Sequence, residues 1–174
     1  MTKVRIKLRS DGSYKEVPIT SPDKPKVEDD MKKGWQNMAN LIASFTNVRA
    51  GLIMEITKEA MQVFLMSENE SNPYKVGGND YLCHGLYCET VVGTDKELSI
   101  VDAMQLESWK DNPDVDIDMI SYYGLPIKWP DGEFFGTICV LDDEPMDLTS
   151  DQKLLLREFK SSMEKDLKLL MSKN

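Results

Sequence analysis

Apolar positions recur with helical spacing near both ends of the chain. From about Asp30 onward they lie three or four residues apart and predict one stripe: Met31, Trp35, Met38, Leu41, Ile42 and Phe45. A second stripe near the C-terminus contains Leu156, Phe159, Met163, Leu167 and Leu170. Thr149 and Gln152 precede it at the spacing of a capping box, which indicates where that helix begins. The pattern therefore predicts two long amphipathic helices.

Shorter apolar runs between these helices predict strands. Residues 50–56 and 60–66 are separated by three residues of turn type, as in a strand–turn–strand unit. Residues 96–103 predict one further short strand. Residues 124–145 contain a Pro-Asp-Gly turn between two apolar arms, and neither arm alternates as a hairpin with one solvated face does. We therefore expect both faces of this hairpin to be covered.

The middle of the chain predicts short helices within polar loops. Cys83, Tyr87 and Val91 follow each other at four-residue steps, and Gly93 is a candidate helix end. Pro113 is placed to start a helical turn after Asn112. Together these elements predict an α+β fold with an antiparallel sheet and the terminal helices on one face. The other face is left to the loop-rich residues 70–120, which is where a small-molecule pocket is expected.

The first 27 residues differ from the rest. "KVRIKLR" alternates charged and apolar residues, "SDGS" indicates a turn, and a connector rich in proline and charge follows. We predict that residues 1–27 form a tail or linker, with a small hairpin, outside the main core. Residues 28–174 are then the folded domain.

Composition excludes several classes of function. The formal net charge is −9, which argues against a protein that binds nucleic acid phosphates or anionic membrane lipid. Apolar runs fall short of the roughly 18–20 residues needed to span a bilayer. The three cysteines are an odd number, which argues against a disulfide framework. We therefore expect a cytoplasmic chain with reduced thiols.

Several motifs, taken in order, resemble a GAF domain. They are "GLYCETVVGTDKELSIVDA", "WKDNPD", "YYGLPIKWPDGEFFGTICVLD" and the final amphipathic helix, and the likeness covers about residues 30–170. More narrowly, they are similar to bacterial GAF sensors that precede histidine kinases and diguanylate cyclases. The resemblance implies a five- or six-stranded antiparallel sheet, with the N- and C-terminal helices on one face and a pocket on the other. GAF domains bind cyclic nucleotides, bilins, haem or metabolites, and some only hold dimers together, so the ligand and any cofactor stay unknown.

Candidate pocket residues flank or occupy the strands of the apolar hairpin. Trp109, Met119, Tyr122 and Tyr123 precede or begin the strand that faces the pocket in this fold, although each also suits an ordinary core. Cys139 lies in the next apolar strand, either lining the pocket or buried as a structural cysteine. Acidic residues dominate residues 103–123, so we expect a small ligand that is not strongly anionic.

The resemblance also raises covalent and catalytic alternatives. Cys83–His84 is similar to the pair that attaches bilin in phytochrome-like GAF domains, but it lies well upstream of the helix that carries that pair. Cys88 lies where free methionine-(R)-sulfoxide reductases have one cysteine. Residues 103–120 lack the second cysteine, and Tyr122 stands roughly where that branch has a substrate-holding glutamate. We therefore predict a protein that is not an enzyme.

Two apparent metal patterns have the wrong spacing. Cys83, His84, Cys88 and Cys139 do not follow a zinc-site spacing. Aspartates at 114, 116 and 118 alternate as in a calcium loop, but Met119 takes the place of the required glycine. We predict a solvated acidic face at these aspartates and no metal site.

The last helix also suggests a mode of assembly. Leu156, Met163 and Leu170 lie seven residues apart with Phe159 at the matching inner position, which predicts a short coiled-coil seam and a homodimer. The alternative is that the whole stripe is intramolecular core. The leading hypothesis is a sensory module in which a ligand shifts the dimer. The others are a structural dimerisation domain and a redox enzyme of the methionine-sulfoxide type.

Overall fold

A computed structural model describes residues 1–173, which form three α-helices and eight strands. The helices are α1 (Asp29–Thr46), α2 (Tyr87–Thr94) and α3 (Ser150–Ser172). The strands are β1 (Lys3–Lys7), β2 (Tyr14–Pro18), β3 (Ala50–Ile56), β4 (Ala60–Met66), β5 (Asn79–Tyr81), β6 (Leu98–Ile100), β7 (Ser121–Lys128) and β8 (Phe134–Asp142). Six of them form an antiparallel sheet in the order β5-β4-β3-β8-β7-β6. The predicted α+β fold is confirmed, and the edge strand β5 lies in a segment that the sequence indicated to be loop.

Both faces of this sheet are buried, as the apolar hairpin indicated. In β3, Leu52 and Met54 belong to the core on one face and Ile53 to the core on the other. In β8, Cys139 and Val140 divide in the same way. Successive strand residues point to opposite faces, so a strand with two covered faces has no polar positions to alternate. We call the face that carries α1 and α3 the helix face, and the other the distal face.

The two long helices lie antiparallel on the helix face. Gln152 Nε2 at the start of α3 donates to the Phe45 carbonyl at the end of α1, at 3.1 Å. Near the opposite end, Trp35 Nε1 donates to Asp166 Oδ2 at 2.8 Å. The predicted seam residues of α3 are fully buried in this core: Leu156, Met163 and Leu170. The prediction of a coiled-coil seam is therefore wrong for these three residues, because they pack inside their own chain against the sheet. The intramolecular alternative is correct for them.

The N-terminal segment belongs to the distal core. The predicted hairpin is present as β1–β2, but Val4, Ile6 and Val17 are buried against the distal side of the domain. Gly93 in α2 leaves the space that Ile6 and Leu8 occupy, since a Cβ there would overlap both side chains. The expectation that residues 1–27 lie outside the main core is thus wrong. Alternation of charged and apolar residues is the pattern of a half-buried strand, and here its apolar side packs on α2.

Local signals placed most helix ends correctly. Thr149 Oγ1 accepts from the Gln152 N–H at 3.2 Å, and Gln152 Oε1 accepts from the Thr149 N–H at 2.9 Å, which is the predicted capping box. A 3₁₀ turn covers Pro113–Ile117, as predicted. α2 ends at Thr94, one residue after the predicted Gly93, and the following residue Asp95 has the left-handed conformation. Within residues 1–173, no helix is both long and apolar enough to cross a bilayer.

Candidate functional site

A small cavity lies on the distal face, beneath residues 104–120, which we call the lid segment. Its volume is about 20 Å³, enough for about one water molecule. Strand residues form its floor, while α2, the lid segment and residues before α2 form its roof. The lining residues are Leu52, Met54, Met61, Tyr74, Asp80, Leu86, Cys88, Asp114, Tyr122, Cys139 and Leu141. The site is therefore an almost closed, mainly apolar space with a few polar groups.

Polar contacts between three side chains at the cavity join α2 to the sheet. Cys88 Sγ lies 3.3 Å from Tyr122 Oη and 3.2 Å from Thr137 Oγ1. Gly124, two residues after Tyr122 on β7, has no side chain, and a Cβ there would overlap the phenol ring. The ring is therefore free to lie along its own strand. Burial and the neighbouring Cys88 raise the pKa of the Cys139 thiol, which favours the neutral form.

The cavity is also lined by a hydrogen-bonded carboxyl–phenol pair. Tyr74 Oη donates to Asp114 Oδ1 at 2.8 Å, and both side chains are buried. Burial raises the pKa of Asp114 to about 7, and the negative charge of Asp80 adds to the shift, while the hydrogen bond from Tyr74 opposes it. Asp80 lines the same cavity, and burial raises its pKa as well. The cavity thus contains a carboxyl group that changes charge near neutral pH.

Three aromatic rings attach the lid segment to the sheet. The ring of Tyr87 stacks on Trp109 with centroids 5.3 Å apart, and on Tyr122 with centroids 4.7 Å apart. The Tyr87 hydroxyl donates to the Met119 carbonyl at 3.0 Å. Stacked rings bury large apolar areas with a defined geometry, so this stack holds the lid segment at a defined distance from the sheet.

The N-terminal hairpin holds the roof through Arg9. Its Nε donates to the Gly85 carbonyl at 2.6 Å, and one terminal nitrogen donates to the His84 carbonyl at 2.8 Å. The other terminal nitrogen pairs with Asp111 Oδ1 in the lid segment at 2.8 Å. A guanidinium group presents five donors in a rigid plane, which suits it to join three chain segments at one point.

Glu89, in the first turn of α2, also holds the roof of the cavity and the N-terminal hairpin together. This carboxylate is fully buried. Its Oε2 accepts from the N–H groups of Lys7 and Cys83 at 2.9 and 2.7 Å. Its Oε1 accepts from the N–H groups of His84 and Leu86 at 3.2 and 3.1 Å. One buried side chain thereby links β1, the loop before α2 and the start of α2, and four backbone N–H groups depend on it.

The sequence-predicted pocket residues fall into three groups. Tyr122 and Cys139 line the cavity. Trp109 and Met119 are buried behind Tyr87 in the distal core and do not line it. Placing Tyr123 in the pocket is wrong, because Tyr122 and Tyr123 are adjacent in a strand and point to opposite faces. The Tyr123 hydroxyl donates to Glu97 Oε2 at 2.6 Å, and its ring belongs to the core of the helix face.

Sequence analysis missed the carboxyl–phenol pair. Asp114 was expected on a solvated face and is buried instead, whereas Asp116 and Asp118 are exposed as predicted. In the 3₁₀ turn that follows Pro113, aspartates two residues apart project to different sides of the chain. Tyr74 lies in a predicted polar loop. No local signal marks either residue, because the hydrogen bond between them spans 40 positions of the chain.

The other cysteine and histidine candidates lie apart from the cavity. Cys83 is partly buried, and its thiol donates to the Arg5 carbonyl at 3.2 Å. The neighbouring His84 side chain is exposed. Across the described residues, no three histidine, cysteine, aspartate or glutamate side chains are grouped so that they could hold a metal ion.

Comparison with known proteins identifies a family that has this layout. The model of the GAF domain family matches residues 30–164. The chain belongs to the GAF domain family. The resemblance deduced from the sequence motifs is thereby confirmed, and the six-stranded sheet is the one that this family implies. No curated protein matches the chain by sequence.

Solved structures with the same fold come from proteins with different functions. One is the phycocyanobilin-bound GAF domain of a cyanobacterial phytochrome, with 13% identity over 80% of this chain and 85% of that chain, at a TM-score of 0.66. Another is free methionine-R-sulfoxide reductase from Neisseria meningitidis in complex with its substrate, with 12% identity, coverages of 84% and 83%, and a TM-score of 0.64. A third is the GAF domain of a two-component sensor histidine kinase from Bacillus halodurans, with 10% identity, coverages of 84% and 97%, and a TM-score of 0.61. At these identities the likeness establishes the fold alone.

Proposed function

We propose that this GAF domain is a sensory module of bacterial signal transduction that binds a small molecule in the distal cavity. The observation that carries the proposal is the polar lining of an otherwise apolar core. Asp80, Asp114 and Tyr122 line one small cavity. Burying such groups costs free energy, and residues that serve stability alone would be apolar there. Polar groups of this kind in an apolar pocket are typical of a ligand site.

Ligand entry requires the lid segment to move. A cavity of about 20 Å³ does not hold a metabolite, and small-molecule pockets usually have volumes of roughly 300–1,000 Å³. The lid segment consists of two short 3₁₀ turns and loop, and its tie to the hairpin through Asp111 is solvent-exposed. Short turns with exposed bonds open at a lower free energy than a central strand such as β8. Opening of the lid segment is the step that a ligand would stabilise.

Charge in the cavity defines the class of ligand. Asp80 and Asp114 both line it, and none of the lysines and arginines within residues 1–173 does. A phosphate-rich ligand would therefore be repelled, whereas a neutral or positively charged molecule would pair with these carboxyl groups. The acidic lid segment strengthens this preference, as the sequence suggested.

Signal output would pass through a homodimer of α1 and α3. The exposed side chains on these helices, and not the buried stripe, form the interface in this proposal. Leu41 and Phe45 on α1, and Leu154 and Leu169 on α3, each expose about half of their surface. A second copy of the chain would cover them, and rotation of the helices would reach an attached kinase or cyclase domain in the cytoplasm.

Light scattering at micromolar concentration tests the dimer. We expect a dimer for the unmodified chain and a folded monomer for Leu41→Glu, with Lys33→Glu on the same helix as the control. A monomeric unmodified chain would remove the dimer from the proposal.

One observation favours a structural domain instead. The closed cavity is also what a dimerisation domain without a ligand would have. The reductase alternative has less support. Cys88 is buried and hydrogen-bonded, the lid segment supplies no second cysteine, and the neighbouring Cys139 thiol is held neutral. We propose that the domain is not an enzyme.

Native mass spectrometry of protein purified from its own host tests ligand binding. We expect a non-covalent mass on the unmodified chain that Asp114→Asn reduces at least tenfold. Asp116→Asn, on the exposed side of the same turn, should retain it. A chain that carries no additional mass would support the structural alternative. A mass retained equally by both variants would place the ligand elsewhere.

A further inference from the structure

A larger concavity lies on the helix face, away from the distal cavity. We call it the strap cleft, because residues 19–27, the strap, form one wall. The β3–β4 turn and the first turn of α1 form the opposite side, and the rings of Phe64, Trp129 and Phe135 form the floor. Phe64 is partly exposed, with Lys32 Nζ 5.0 Å from its ring centroid, whereas Trp129 and Phe135 are almost fully buried. Its volume is about 630 Å³, against about 20 Å³ for the distal cavity. It therefore has the size that metabolite sites usually have.

The strap is held firmly in place. The Ser21 N–H donates to Glu133 Oε2 at 2.9 Å, and Lys24 Nζ pairs with the same carboxylate at 2.8 Å. Trp129 Nε1 donates to Thr20 Oγ1 at 2.8 Å. The cleft is thus formed before any ligand arrives, which lowers the entropy that binding must overcome.

Glu55 gives the cleft a hydrogen-bond acceptor that lacks a donor. This β3 residue is partly buried, and its carboxylate has no hydrogen bond or close ion pair with any residue from 1 to 173. Burial raises the pKa of Glu55, and the charge of Lys32 opposes that shift. A carboxylate has about four acceptor sites. A ligand N–H group would satisfy at least one of them.

Lysines give the rim a local positive charge. Lys26 and Lys58 line the cleft, are exposed, and form no ion pair within residues 1–173. Lys24 is different, since Asp131 and Glu133 already neutralise it. The cleft is lined by four lysines, Lys24, Lys26, Lys32 and Lys58, and by two acids, Asp29 and Glu55, so its local charge is positive although the chain has a net charge of −9. The two unpaired lysines suit an anionic group of a ligand whose other end enters the cleft.

We propose that the strap cleft is a second ligand site, and that it takes a flat heteroaromatic molecule with a ring N–H donor and an anionic tail. The ring would lie against the partly exposed Phe64 and Val27, its N–H would donate to Glu55, and the anion would lie near Lys26 and Lys58. Guanosine 5′-monophosphate, whose N1–H is a ring donor, is a common molecule with these three features. The distal cavity, with its two carboxyl groups, has the opposite charge preference, so the two sites would select different ligands.

Calorimetry with the full chain and guanosine 5′-monophosphate tests the proposal. We expect saturable binding that weakens as salt is added, because the lysines are exposed. Guanosine, which lacks the anion, and ribose 5-phosphate, which lacks the ring, should each bind at least tenfold more weakly. Glu55→Ala and Lys58→Gln should each weaken binding of the monophosphate about tenfold, whereas Lys33→Gln, outside the cleft, should not.

Amide and indole NMR signals of the unmodified chain provide the second measurement, which does not depend on the folding of a variant. The largest shifts on adding the monophosphate should fall in residues 19–27, at Glu55 and at the Trp129 indole. Absence of binding would overturn the proposal, as would equal affinities of Glu55→Ala, Lys58→Gln and Lys33→Gln. Asp114→Asn should leave the affinity unchanged. Loss of binding in that variant would place the probe in the distal cavity and overturn the second site.

Discussion

Replacement of Glu89 by glutamine is the sharpest test of how the roof of the cavity is held. The two side chains have nearly the same shape, so packing is preserved. The change removes one of two acceptor oxygens, each of which accepts two backbone N–H groups. Whichever oxygen remains, two N–H donors face an amide NH₂ group that cannot accept. A fully buried donor without an acceptor costs about 1–3 kcal/mol, and three of these four N–H groups are only partly buried, so we expect a loss near the lower end, about 2–3 kcal/mol.

Urea unfolding measures this loss. Small domains lose about 1–3 kcal/mol of stability per molar urea, so a 3 kcal/mol loss corresponds to a midpoint lower by roughly 1–3 M. Hydrogen exchange should also become faster at the amides of Lys7, Cys83, His84 and Leu86 before it does so in β8. Glu70→Gln is the control, because Glu70 is exposed and has no hydrogen bond within residues 1–173. It should change stability by less than about 0.5 kcal/mol. A similarly small effect of Glu89→Gln would refute the role assigned to this carboxylate.

The remaining predictions concern the lid segment, the thiol and the buried acid. Hydrogen exchange should be faster in residues 104–120 than in residues 134–142, and Arg9→Ala should widen the difference; equal protection of both segments would argue against a mobile lid. The chain should not reduce free methionine sulfoxide, and thiol-dependent turnover that disappears in Cys88→Ser would show that it is an enzyme. Because the pKa of Asp114 rises from 3.8 to about 7 on folding, the unfolded chain releases this proton first and stability should fall as pH rises from about 4 to 7. Asp114→Asn should remove that fall in urea midpoints, and an unchanged pH profile in the variant would contradict the assignment.

Local patterns were sufficient wherever one face of an element decides its packing. The spans of β3 and β4, both long helices and the capping box of α3 follow from periodicity and from signals within a few residues. The non-alternating arms of the hairpin also indicated that both of its faces are covered. These features depend on neighbours in the sequence, and the family motifs implied the antiparallel sheet of five or six strands with the terminal helices on one face.

What the tertiary structure decided is which polar groups are buried and which stripe is covered. The Arg9 guanidinium donates to carbonyls 75 and 76 positions away, and the Glu89 carboxylate accepts from the backbone N–H of Lys7 across 82 positions. Charged residues at such separations look solvated in the sequence, because nothing nearby reveals their partners. The same limit misplaced Tyr123 and the α3 seam, since a strand or helix shows that it has an apolar side but not which surface will cover it. The sequence by itself determined the long helices, the central strands and the family of this protein, whereas the chemistry of the cavity arises only when distant segments desolvate and satisfy one another's polar groups.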